Sequence, residues 1–418
     1  MTIIRRDDIT TYRHEIMMQG FLRKDGRKGI RNVVVVTYLV ECAHHVAARI
    51  AQHFDQGSMV NVQCSMVNDV HLIGFSGCAP NDYAEQMMRQ LCTHPNVGAV
   101  LLVSLGCENF QRERLLQDIK DSGRPSSLIV IQEEGGTKAA IEKGIAEVSQ
   151  MRQQIENTPT TTIGWEDLVI GTVCGGSDGY SGITANPSVG NTFDWLVAHG
   201  ATCIFEEPGE LIGCEDLLRR RAINPETGQQ LYNCIVKADK YYKQMGHDSF
   251  SAGNATGGLT TIEEKSLGSY CKSGSQQIQG LTYPALPPSA PGLWMMDVVP
   301  DGEARWGFPN INDNAEIMEM IACGCHMVLY TTGRGSVAGS AISPVIKVCS
   351  NPDTYRHMKD DMDINAGAIV TDGLSFEDVR DEILKSIEET ASGQQTKSEA
   401  LGHREYSLGY KFYDHCSL

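Results

Sequence analysis

Three cysteines stand where strand ends would gather them: Cys42 beyond the apolar run 33–40, Cys78 in Gly74-Phe75-Ser76-Gly77-Cys78, and Cys107, followed by Glu108, after the apolar run 97–104. Three thiolates from three strand ends can ligate one iron or zinc ion, or three corners of an iron-sulfur cluster, with a coordination position left for substrate. Their spacing forms no compact Cys-x-x-Cys signature, and a free cysteine is often only a small buried hydrophobe, so bystander thiols are the competing reading. His44, His45 and His71 are alternative ligands or acid–base groups. His44 and His45 are adjacent and would face different sides of a helix, so at least one is structural or on the surface. His53, His94 and His247 are expected at the surface.

A second set lies further along the chain. Residues 171–186 (GTVCGGSDGYSGITAN) follow an apolar run and are rich in Gly, Ser and Thr. Amides around Gly175 and Gly176 can form an anion nest, and Ser177, Asp178, Thr184 and Asn186 can hold substrate hydroxyls. The segment is neither GxGxxG nor GxxxxGK[ST], which disfavours a nucleotide; a tight turn is the simpler alternative. Glu206, Glu207 and Glu210 follow another apolar run, and a carboxylate beside a hydrophobic wall can become a general base. Exposed acids at the start of a loop are the commoner case. Lys265 and Arg334 are cations in an acidic chain. Arg334, between glycines and flanked by Thr332 and Ser336, can clamp a carboxylate bidentately or simply sit solvated in a turn. Residues 360–365 (DDMDIN) lack the Gly and terminal Glu of a calcium loop.

The elements that must position these groups are α/β. The β-branched run 33–40 predicts a fully buried strand, with a helix following to about residue 53; strand and helix recur at 97–104 and 112–121, and another strand at 127–132 leads into a helix. Repeated βα units imply a parallel sheet flanked by helices. The polar stretch 149–164 is the expected linker, dividing the chain into an N-terminal α/β domain, 1–156, carrying the candidate metal cysteines, and a C-terminal α/β domain, 157–418, carrying the Gly-rich substrate loops. Short buried strands are expected at 168–173, 201–206, 292–298 and 326–331, with a Pro-rich crossover at 284–291 and a tail bearing Tyr406, Tyr410 and Tyr413. At 418 residues two cores are affordable without disulfides. The net charge of -17 repels nucleic acid and anionic membranes, so an anionic substrate must meet a locally basic pocket. The first eight residues lack an apolar signal region, and fourteen cysteines without one argue for free thiols in a cytoplasmic protein.

Longer motifs then converge. GFLRKDGR at 20–27, GIRN at 29–32, LGCE at 105–108, CGGSD at 174–178, SGITANP at 181–187, EKSLG at 264–268, TTGRGS at 331–336, DDMDINAG at 360–367 and SEALG at 398–402 together resemble the altronate and galactarate dehydratase family, which includes the large subunit of sulfolactate sulfo-lyase. The resemblance implies a hydro-lyase acting on an aldonic or aldaric acid to give a 2-keto-3-deoxy acid, with Fe2+ or a similar metal (Mn2+, Zn2+ or an iron-sulfur cluster). It also implies a separate small β-rich subunit in place of a domain that precedes this body in many relatives; a homo-oligomer is expected as well. There are two departures: His71 is displaced upstream of the usual His-x-x-Gly-Cys position, and Ala43-His44-His45 replaces small residues.

The expected mechanism has the metal with Arg334 or Lys265 binding the substrate's carboxylate, a base among Glu207, His71 and Lys265 taking the α-proton, and an acid protonating the departing group. Release of sulfite instead of water, a non-catalytic ligand- or metal-binding module, and a nicotinamide oxidoreductase are the competing functions; no dinucleotide fingerprint supports the last.

Overall fold

The computed structural model describes residues 17–55, 67–246, 249–301 and 312–411. His247, Tyr413 and the first eight residues lie outside them. The N-terminal region contains β1 (Gln19–Leu22), β2 (Lys28–Gly29), β3 (Asn32–Tyr38), β4 (Val67–Gly74), β5 (Val97–Ser104), β6 (Ser126–Val130) and β7 (Thr160–Thr162). Four of these form a parallel sheet in the order β4-β3-β5-β6, while β2-β1-β7 is a small antiparallel sheet. The strands β3 and β5 are buried almost end to end, as apolar β-branched runs are when helices cover both faces. The helix Glu41–Asp55 lays Val46, Ala47, Ile50 and Ala51 on this sheet at the three- and four-residue spacing of one helical face.

The C-terminal region contains β8 (Val169–Cys174), β9 (Thr202–Phe205), β10 (Ile278–Thr282), β11 (Gly292–Met296), β12 (Met327–Thr332), β13 (Val345–Cys349) and β14 (Ile364–Asn365). They form one all-parallel sheet in the order β10-β11-β9-β8-β12-β13-β14. The chain is therefore two α/β domains, each built on a parallel sheet with flanking helices.

The domains pack through a shared apolar cluster in which Leu39, Phe75 and Met87 meet Met318, Ile321 and Tyr330. Polar clamps fix the seam: Arg31 Nε meets Glu399 Oε1 at 2.7 Å, and Asn96 Nδ2 donates to His326 O at 3.1 Å. The tail returns across the N-terminal domain, with Tyr410 OH donating to Ala79 O at 2.6 Å, and Lys411 Nζ reaches Glu319 Oε2 at 2.6 Å.

Two expectations are corrected. The polar stretch 149–164 is not all linker, because the helix Thr137–Ile155 runs through its first part, burying Met151 and Ile155. His94 is not at the surface: it is 1% exposed, accepts a hydrogen bond from Asn96 N at 3.1 Å, and burial holds its pKa well below the usual value. The sequence reading also lacks the edge strands β10 and β14 and the interior strand β13; short strands carry little periodicity of their own. Among the described residues no helix is long and apolar enough to cross a membrane.

Candidate active site

In the C-terminal sheet the chain passes from β8 to β9 on one side and later to β12 on the other. Loops therefore diverge beyond the carboxyl end of β8, where open parallel sheets form a crevice. Cys174 is the last residue of β8. Glu206 and Glu207 leave β9, and Glu207 takes a left-handed conformation (φ 76°), a strain of about 1–3 kcal/mol for a residue with a side chain. Pro208 then opens a 3-10 turn, Pro208–Leu211, that brings Glu210 back toward the same point, with Glu210 N donating to Glu207 O at 2.8 Å. Helix Ile262–Cys271 is capped by Thr261, and Lys265, Ser269 and Lys272, at i, i+4 and i+7, share the face that meets these carboxylates.

The result is a dense charged centre. Glu207 Oε2 accepts from Cys174 N at 3.0 Å and pairs with the buried Lys272 ammonium. The Cys174 thiol donates to Glu210 Oε2 at 2.7 Å and lies 3.6 Å from Glu207 Oε1. Lys265 Nζ stands 2.5 Å from Glu210 Oε1 and donates to Ser249 O at 2.6 Å. Behind them, helix Asp313–Ala322 contributes Asp313, Glu316 and Glu319 at three-residue steps. Tyr330 OH donates to Asp313 Oδ2 at 2.6 Å, and Tyr83 OH, from the other domain, to Glu319 Oε1 at 2.6 Å. Gly175 has to be glycine here, since a Cβ would fall 1.6 Å from Tyr330 Oη.

Burial sets the protonation of this centre. It pushes Glu316 up to about 8, against the pull of Lys411, and raises Glu206 well above the carboxylate range with help from the Glu316 charge. Burial also raises the Cys174 thiol, aided by Glu210. Burial lowers Lys265, but Glu210 and Cys174 more than offset it, so its pKa rises. Among the described residues, two groups bring at least three potential metal ligands within 4.8 Å of one another: Cys174, Glu207 and Glu210, and Glu206, Glu207 and Glu316. A divalent cation fits such donors, since Glu206 Oε1 is buried without a hydrogen-bond partner among the described residues.

Beside the first group opens a cleft of about 260 Å³ walled by Ser177, Asn186, Leu259, Lys265, Gly268 and Cys271, sized for a small organic molecule. Two family profiles cover the chain: "D-galactarate/Altronate dehydratase, C-terminal" over residues 165–413 and "D-galactarate dehydratase/Altronate hydrolase, second domain" over residues 20–156. The chain belongs to the galactarate and altronate dehydratase family. Its relatives are lyases. Altronate dehydratase of Bacillus subtilis (strain 168) is 30% identical over 405 residues, 93% of this chain and 77% of that protein. Galactarate dehydratase (L-threo-forming) of Escherichia coli (strain K12) is 32% identical over 393 residues, 90% of this chain and 73% of that protein. The (2R)-sulfolactate sulfo-lyase subunit beta of Chromohalobacter salexigens is 31% identical over 408 residues, 93% of this chain and 96% of that one.

The dehydratase-family motifs CGGSD and TTGRGS meet in the structure. Gly175 N donates to Thr331 O at 3.0 Å, and Gly333 N and Arg334 N donate to Gly176 O at 3.2 and 3.0 Å. The amides of Gly175, Asp178 and Gly179 are thus spent inside the fold, with Asp178 N on Ser181 Oγ and Gly179 N on Gly257 O. Asp178 holds its loop: its carboxylate accepts from Tyr180 N, Ser181, Ser350 and Asn351 at 2.9–3.1 Å. Thr184 Oγ1 donates to backbone carbonyls, Thr332 Oγ1 accepts from Gly335 N, and Ser336 Oγ accepts from Ala338 N. Arg334 is exposed, with Nη1 on Gly253 O at 3.0 Å. Asn186, whose buried Oδ1 has no hydrogen-bond partner among the described residues, and Ser177, which donates to Cys174 Sγ at 3.4 Å, line the cleft.

His71 is not brought to this centre. It sits in the domain seam, bonded through Nδ1 to Ala341 O and sharing a small cavity with Arg31, Glu399, His403 and Arg404. Cys42, Cys78 and Cys107 are exposed at the carboxyl ends of the N-terminal sheet, and none belongs to either compact ligand group. Glu108 folds onto its own turn, accepting from Ser104 Oγ and from Gly106 N at 2.9 Å. Sequence reasoning missed Cys174, Lys272 and Glu316. Their signals were the Lys265–Ser269–Lys272 helical spacing and the three acids stepping along one face of an otherwise apolar helix.

Proposed function

We propose that the chain is a metal-dependent hydro-lyase that dehydrates a small sugar acid, an aldonate or aldarate, to a 2-keto-3-deoxy acid. The observation that carries this reading is the Cys174–Glu207–Glu210 group with Lys265 at the wall of the cleft. Cys174, Glu207 and Glu210 would hold the metal; Fe2+ or Mn2+ suits a mixed carboxylate and thiolate set. A bound divalent ion supplies a Lewis acid for the negative charge that develops when a carbon acid next to a carboxylate ionises.

The chain's own residues do the rest. Lys272 and the Cys174 amide pin Glu207, and the left-handed backbone at Glu207 fixes where its carboxylate points. Asn186 Oδ1 and Ser177 Oγ offer hydrogen bonds to substrate hydroxyls along the cleft. With Glu210 engaged as a ligand, Lys265 would lose the carboxylate that keeps it an ammonium; as the amine it accepts the α-proton at Nζ, and as the ammonium so formed it gives a proton to the departing β-hydroxyl. The enol left behind tautomerises to the keto acid. Arg334, exposed and tied through its backbone N to Gly176 O, would attract an anionic substrate toward this face.

Release of sulfite from a sulfolactate-like acid is the second reading, favoured by the 31% identity over 408 residues to the sulfo-lyase subunit. That relative is described as a subunit, and a separate small β-rich partner for this chain belongs to the same proposal.

Anaerobically purified protein, loaded with Fe2+ or Mn2+, is assayed for 2-keto acid and for sulfite over aldonates, aldarates and sulfolactate. Lys265→Met should lower kcat about 10²–10⁴-fold with little change in metal content. Full activity in that variant, or turnover unaffected by a chelator, overturns the reading.

A further inference from the structure

The acidic centre holds more donors than one cation at the cleft would use. Glu206, Glu207 and Glu316 bring one oxygen each within 4.8 Å of the others, and they are 0%, 6% and 5% exposed. They come from two separate elements, the end of β9 and helix Asp313–Ala322. Glu206 Oε2 accepts from Glu207 N at 2.5 Å, while Oε1, equally buried, has no hydrogen-bond partner among the described residues.

Nearby ammonium groups are committed elsewhere. Lys272 is on Glu207, Lys265 on Glu210 and Lys411 on Glu319. Among the described residues no ion pair reaches Glu206 or Glu316. Buried carboxylates are ordinarily paired or bound to metal, and among the described residues no ammonium pairs with these two. The oxygen-only donor set differs from the thiol-containing group beside it, and such sets suit hard divalent ions.

We propose that Glu206, Glu207 and Glu316 form a second, inner divalent-cation site that shares Glu207 with the cleft-side group of Cys174, Glu207 and Glu210. The inner ion compensates the charge behind Glu207 and holds that carboxylate in place, and neither Glu206 nor Glu316 lines the cleft. This rests on the metal-dependent reading above, and the two are separable by counting ions.

The full chain is stripped with a chelator and titrated with Mn2+, with stoichiometry read by calorimetry and elemental analysis and spin coupling by electron paramagnetic resonance. Wild type should bind two ions per chain with an exchange-coupled signal. Glu316→Gln should bind one and lose the coupling, as should the Cys174→Ser, Glu210→Gln double variant. Glu206→Gln probes the same inner site from the other element should Glu316→Gln fail to fold. One ion in wild type, retained in both inner-site variants, overturns the inner site and leaves the cleft-side group standing. One ion lost in the inner-site variants but kept in the double variant supports the inner site and overturns the cleft-side group. Two ions retained in both inner-site variants, or no binding at all, overturns the inner site.

Discussion

Both domains carry cysteine beyond the carboxyl ends of parallel strands, yet they treat it differently. In the N-terminal sheet Cys42, Cys78 and Cys107 are exposed. In the C-terminal sheet Cys174 is 2% exposed and is enclosed by Glu207, Glu210, Ser177 and Ser269. The difference lies in what packs over the strand ends. Helix Ile262–Cys271 and helix Asp313–Ala322 bring charge over one sheet and exclude water, whereas the N-terminal loops after β3, β4 and β5 end in solvent. A strand end offers a place for chemistry; a covering layer of charged helices makes it a site.

The contrast can be broken by activity. Glu207→Gln should lower kcat at least about 10²-fold, since it removes a proposed metal ligand, whereas the triple variant Cys42→Ser, Cys78→Ser, Cys107→Ser should retain kcat and metal content within about two-fold. Loss of metal in the triple variant would move the centre to the other domain. Stability sharpens it next. Lys272→Met leaves the Glu207 carboxylate buried without its ammonium and should cost about 3–5 kcal/mol in urea unfolding. Gly175→Ala should cost about 1–3 kcal/mol, because the new methyl meets Tyr330 and Asp313.

Thiol reactivity gives a finer separation. An aromatic disulfide reagent should label Cys42, Cys78 and Cys107 in the native protein, while Cys174 waits for unfolding. Early labelling at Cys174 would mean the covering layer opens.

Acid stability tests the seam between the two regions. Burial and the nearby Arg404 charge hold His71 at about 4 against the ordinary 6.5. The unfolded chain therefore binds a proton that the folded chain refuses across that interval. Stability from this group is complete above about pH 6.5, falls as the pH drops, and levels below about 4. His94 and His326 are shifted in the same direction and add to it. His71→Gln should flatten the pH dependence of the melting temperature between pH 7 and 5; an unchanged slope would count against the neutral buried histidine.

Much of the fold was legible because it rests on local pattern. β5 and the helix Arg112–Asp121 fall where apolar runs and helical spacing put them, and the strand ends that carry Glu207 and Arg334 were recognisable from flanking glycines and acids. The site was legible in part. Lys265 and Glu207 were singled out, and the Gly-rich loop looked like an anion nest, while only the structure shows the Gly175 and Gly179 amides turned to Thr331 and Gly257. His94 was expected at the surface, and only the packed structure places it beside Arg124 and His326.

The sequence by itself determined the α/β class, the family and the strand ends where reactive groups would stand, since these follow from periodicity and from contiguous motifs. Only the tertiary structure decided which reactive groups meet. Glu316 lies far along the chain from Glu206, and Lys272 reaches Glu207 across a separate helix, so no local spacing could pair them. The burial that shifts their protonation is likewise a property of the packed layers around them, and it exists once those layers close.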